Sequence, residues 1–112
     1  MGPDHLSPAE KGALERFVGA VRAEFGDRVD RIVLFGSRAR GEGNEDSDLD
    51  VLVLVRGVTR PEHERIYDMA FAVWQDARID ISPLVRTPEE WAEVEHRELL
   101  IASDIREEGI PL

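Results

Sequence analysis

The chain has 112 residues, no cysteine and a formal net charge of -10. That length suits one domain over residues 1–112 with a single hydrophobic core, and the lack of cysteine excludes a disulfide framework and thiolate chemistry. The acidic balance argues against a nucleic-acid coat, which needs clustered Lys and Arg. No apolar run approaches the roughly 20 residues of a membrane span. The start MGPDHLSPAEK lacks the basic and apolar segments of a signal peptide, so a cytoplasmic location is expected.

Ser7-Pro8-Ala9-Glu10 reads as a capping box with proline at the first helical position. Leu14, Phe17, Val18, Val21 and Phe25 then recur at helical spacing until Gly26. Val29 to Phe35 and Asp48 to Val55 are β-branched and apolar runs that read as strands buried on two faces. Between them RARGEGNEDS is polar and glycine-bearing, a loop with at most one helical turn. Arg60-Pro61 opens a second helix with an inward stripe of Ile66, Met69, Ala70, Val73 and Trp74; Tyr67 lies just off it.

Arg78 to Val85 reads as a third strand, with Ile79 and Ile81 on one face and Asp80 on the other. Pro83 predicts an edge position or an early end. Thr87-Pro88-Glu89-Glu90 repeats the capping box and starts a helical region through about Glu108, broken near Ser103, before Gly109 and a short tail. The order helix, strand, strand, helix, strand, helix predicts an α/β (α+β) two-layer domain, a small mixed sheet with helices on one face.

The chemistry concentrates in IVLFGSRARGEGNEDSDLDVLVLV. Side chains two apart on a strand leave from the same face, so Asp48 and Asp50 can aim both carboxylates at one small volume. Such a pair is stable together with a divalent cation between its members; Mg²⁺ takes oxygen ligands and commonly uses one or two carboxylates plus substrate phosphates. Gly36 permits close backbone approach, and Ser37 offers an amide and a hydroxyl to a phosphate, although Gly-Ser also makes ordinary turns. Arg38 and Arg40 suit clamps on a leaving pyrophosphate or surface pairing with Glu42, Glu45 or Asp46. Ser47 suits a loop cap more than a phosphate ligand. Glu45 and Asp46 read as solvated, Trp74 and Trp91 as core, and the scattered His5, His63 and His96 as free of any metal role.

Gly36-Ser37, ten residues, Asp48-Leu49-Asp50 and a lone acid at Asp80 on a later strand resemble the nucleotidyltransferase superfamily of DNA polymerase beta. The text GSRARG…SDLDVLV within a short chain is similar to the minimal nucleotidyltransferases. The resemblance implies that an acceptor hydroxyl attacks the α-phosphorus of a nucleoside triphosphate, with two Mg²⁺ ions steadying entering and leaving oxygens. It assigns metal and catalytic roles to Asp48, Asp50 and Asp80, and triphosphate binding to Gly36 and Ser37, with Arg38, Arg40 and Ser47 around them. It implies ATP as AMP donor, and a tyrosine of an all-helical HEPN-type toxin as acceptor, the chain being the antitoxin.

Two other readings stay open. The chain could neutralise a basic partner by occupancy alone, which its charge would suit. Alternatively, it could modify a small molecule as a homo-oligomer in which a second copy supplies the acceptor surface.

Overall fold

The computed structural model describes residues 5–43 and 47–112. Its first helix, α1 (Pro8–Phe25), starts at the expected capping box: the Ser7 hydroxyl accepts the Glu10 N–H at 3.1 Å, and the Glu10 carboxylate accepts the Ser7 N–H at 2.9 Å. A 3-10 turn at Gly26–Arg28 leads into β1 (Val29–Phe35), which pairs antiparallel with β2 (Leu49–Val55). The helix α2 (Arg60–Ala77) crosses to β3 (Ile81–Arg86), which lies parallel to β2. A third capping box, Thr59 with Glu62, opens that helix.

After β3 come α3 (Pro88–His96), α4 (Leu100–Glu108) and β4 (Ile110–Pro111). The sheet order is β3-β2-β1-β4. This is the expected α+β class with a mixed sheet, and Pro83 lies in an edge strand as expected.

Alternation along β2 sorts the core into two clusters. Leu49, Val51, Val53 and Val55 pack with Phe17 and Val21 of α1 and with Ile66 and Val73 of α2. Leu52 and Leu54 pack on the opposite face with Val33, Trp91, Ala102 and Ile105. Helices therefore cover both faces rather than one. The reason is the apolar run of β2, whose Val51 to Val55 are each at most 1% exposed and need cover on both sides. Phe17 is fully buried, so its truncation to Ala is expected to cost about 3–5 kcal/mol.

Several local expectations change, and β3 begins at Ile81 and not at Arg78. The last helical region breaks at Arg97–Leu99, not near Ser103: Glu98 is left-handed at φ 53°, and extended Leu99 begins α4. The tail forms β4, with Ile110 opposite Leu34 of β1. Trp74 faces outward and is 38% exposed, whereas Trp91 is buried as expected.

Candidate active site

Strand directions bring the suspected site together. The parallel pairing of β2 and β3 places their first residues, Leu49 and Ile81, opposite each other. Asp48 and Asp80 each precede a strand by one residue, rather than lying within it, and are therefore neighbours. The Leu49 N–H donates to the Asp80 carbonyl at 2.9 Å, holding the two strand entries in register. Antiparallel β1 ends at the same place, with Phe35 opposite Asp50. The turn at Gly36-Ser37 and all three acids thus occupy one end of the sheet.

Gly36 has a φ of +79°, in the left-handed region that glycine favours. A Cβ added there would stand 2.5 Å from the Asp50 Oδ2, so backbone and carboxylate meet at a distance that no side chain allows. The Gly36 carbonyl accepts the N–H groups of Ala39 and Arg40 at 3.1 and 3.3 Å, which curls the chain into a single turn led by Ser37 and Arg38. The far side of the loop folds back, because a Cβ on Gly43 would lie 2.6 Å from the Ser47 hydroxyl and 3.4 Å from that of Ser37. Glu45 and Asp46 lie outside the described residues.

Electrostatics mark the acids as a set. Burial, followed by repulsion from Asp48, raises the Asp50 pKa above the ordinary carboxylate value. Asp80, although exposed, is raised by partial desolvation, by the Asp48 charge and by hydrogen bonding to Asp48. Among the described residues, no ion pair involves any of the three. Uncompensated carboxylates held together suit a cation. Yet among the described residues no three acids or histidines converge closely enough to enclose one. Such an open donor set fits a Mg²⁺ ion that takes its remaining ligands from substrate phosphates and water.

The two arginines are otherwise engaged. Arg38 is buried, and its guanidinium pairs with Glu10, with Nη2 at 2.7 Å and Nε at 3.2 Å from the two carboxylate oxygens. Its Nη1 donates to the Glu42 carbonyl at 3.2 Å, so the side chain braces the loop from within and does not face out as a phosphate clamp. Arg40 is exposed and pairs with Glu42 and Glu108, each at 3.2 Å, which is the surface-pairing alternative. Glu10 as a loop anchor is not visible in the sequence, where its capping box explains it fully. His5 joins the same brace, donating from Nε2 to the Arg38 carbonyl.

The chain matches the family described as nucleotidyltransferase domain over residues 14–110. Putative protein adenylyltransferase MJ0141 of Methanocaldococcus jannaschii is 43% identical over 60 residues, covering 53% of this chain and 61% of that protein. From the same organism, Putative protein adenylyltransferase MJ1305 is 33% identical over 78 residues, covering 67% of this chain and 53% of that protein. The matches thus span little more than half the length of these relatives.

A solved structure described as a putative minimal nucleotidyltransferase is 28% identical with a TM-score of 0.58, covering 95% of this chain and 97% of that one. A toxin–antitoxin crystal structure with AMP-PNP shares the fold at 15% identity and a TM-score of 0.57, covering 87% of this chain and 70% of that chain. The family match takes in the glycine turn and all three acids, and the chain belongs to the nucleotidyltransferase domain family.

Proposed function

We propose that this chain transfers AMP from ATP to a hydroxyl of a partner protein, a tyrosine of a HEPN-type helical toxin, and so acts in the cytoplasm as an antitoxin. One observation carries the donor half: the close approach of Gly36 to Asp50, beside the strand entries at Asp48 and Asp80 that the Leu49 N–H holds together through the Asp80 carbonyl. The protein half is supported by the names of the relatives, which read "Putative protein adenylyltransferase", and by the toxin–antitoxin neighbours that share the fold.

Asp48 and Asp50 would hold one or two Mg²⁺ ions together with the triphosphate, whose terminal groups would lie against Gly36 and Ser37. Mg²⁺ held by these carboxylates would supply charge neutralisation for the phosphates and a lower pKa for the acceptor hydroxyl. Asp80 faces the entering acceptor and takes up its proton; its raised pKa suits that task. A bond forms between the acceptor oxygen and the α-phosphorus as the bond to pyrophosphate breaks. Ser37 and the amides of the turn stabilise charge on the departing group.

The test incubates the chain with Mg²⁺, ATP labelled at the α-phosphate and a purified HEPN-type partner. Label should move to the partner, and Asp48→Ala with Asp50→Ala should abolish transfer. Neutralisation of the toxin that survives those changes, with no transfer by the unaltered chain, would favour inhibition by occupancy.

A further inference from the structure

On α2, Tyr67, Phe71 and Trp74 are 45%, 55% and 38% exposed. Their spacing places them on one stripe of the helix. Phe71 and Trp74 stack with ring centroids 5.7 Å apart, and the Arg78 guanidinium lies 4.5 Å from the centre of the Trp74 ring. This preformed aromatic surface forms one wall of a groove of about 340 Å³, whose other wall is Ile81 and Pro83 of β3. Asp80 lines the same groove, so the groove is continuous with the acid site.

The free edge of β3 restricts what can bind. The Asp80 carbonyl bonds to Leu49 of β2, so the backbone groups of Ser82 and Leu84 also turn inward, and those of Ile81, Pro83 and Val85 turn outward. Pro83 has no N–H, and an added strand would find the central donor of that edge missing. The groove therefore suits side chains, as a helix delivers them, better than an added strand. Glu64 and Asp68 are exposed in the first half of the same helix, whereas Arg78 lies at its far end, and the chain as a whole carries a charge of -10, which together favour basic residues on the occupant beside the two acids.

We propose that this groove is the docking site of the acceptor protein, which enters as an amphipathic helix with an apolar side chain against Phe71 and Trp74 and basic residues beside Glu64 and Asp68. Docked there, the partner holds its acceptor hydroxyl next to Asp80. The proposal rests on the adenylyl-transfer reading but concerns binding, which can be measured without transfer.

The experiment uses the full chain and a purified HEPN-type protein as probe, measuring its affinity by calorimetry and the KM of transfer separately for that protein and for ATP. Phe71→Ala with Trp74→Ala should weaken partner binding and raise the acceptor KM by about tenfold or more, as aromatic anchors at interface centres do, with the ATP KM unchanged. Asp68→Lys, which leaves the aromatic surface intact, should weaken binding in a salt-dependent way. Leu100→Ser, at the 77% exposed apolar residue of α4, serves as control and should change neither quantity. An unchanged acceptor affinity in the double variant overturns the proposal. So does conversion of a dimer to a monomer with acceptor KM unaltered, which would give the groove to a second copy. If the unaltered chain binds the partner but transfers nothing, the adenylyl-transfer reading fails, while loss of binding in the double variant still upholds the docking site.

Discussion

Arg38 and Glu10, 28 residues apart, form a two-point ion pair sealed beneath the glycine turn, with side chains only 7% and 2% exposed. One carboxylate does two jobs, since Glu10 Oε1 also accepts the Ser7 N–H that begins α1. Burial alone would push the Glu10 carboxyl up. The Arg38 hydrogen bonds and the Ser7 amide outweigh it and hold the group below the usual range. The start of α1 and the loop that carries Ser37 are therefore one mechanical unit.

Breaking that unit from one side should be costly. Arg38→Met leaves the Glu10 carboxylate buried without its partner, and a loss of about 3–5 kcal/mol is expected in urea unfolding. Replacing both, Arg38→Met with Glu10→Met, should cost less than the single change, because no buried charge remains and the added loss is a helix cap of about 1 kcal/mol. A double variant less stable than Arg38→Met would contradict this account.

Gly36→Ala should separate activity from folding. The new methyl would meet the Asp50 carboxylate at 2.5 Å and sit at a positive φ. Backbone strain of about 1–2 kcal/mol leaves the chain folded, while displacement of Asp50 by even an ångström should lower transfer about 100-fold. Single-turnover rates set beside thermal unfolding of the same variant check the split.

The Asp50 carboxyl gives a pH signature. Its folded pKa lies above the ordinary value, so the folded chain holds this proton more tightly than the unfolded chain does. The stability it contributes is full at low pH and is lost as pH rises from about 4 through the raised value. Without metal, Asp50→Asn should melt above the unaltered chain at neutral pH, and the gap should close on acidification. Mg²⁺ with ATP should stabilise the unaltered chain and not the variant; melting curves across pH would show both effects.

Asp80→Asn should lower kcat by about 10²–10⁴-fold with little change in the ATP KM, as expected for a base that acts on the acceptor. In the unaltered chain the rate should rise with pH as Asp80, whose pKa is raised above the ordinary carboxylate value, loses its proton, and that acid limb should be absent from the variant's profile. A limb that persists unaltered would remove Asp80 from proton transfer.

By itself the sequence determined what depends on near neighbours along the chain. The capping boxes at Ser7 and Thr87 close within four residues, so the starts of α1 and α3 were legible, and the alternating acids before an apolar run announced the entry to β2. Tertiary structure alone decided which distant residues meet. Parallel register put Asp80 beside Asp48, and a 28-residue separation hid the Glu10 partner of Arg38. The outward turn of Trp74 was equally hidden, because helical spacing puts Phe71 and Trp74 beside each other but does not say which side of their stripe the sheet will cover. Local hydrogen bonds and strand alternation are written in short windows, whereas burial and ion-pair partners depend on strand order and on which helix covers which face.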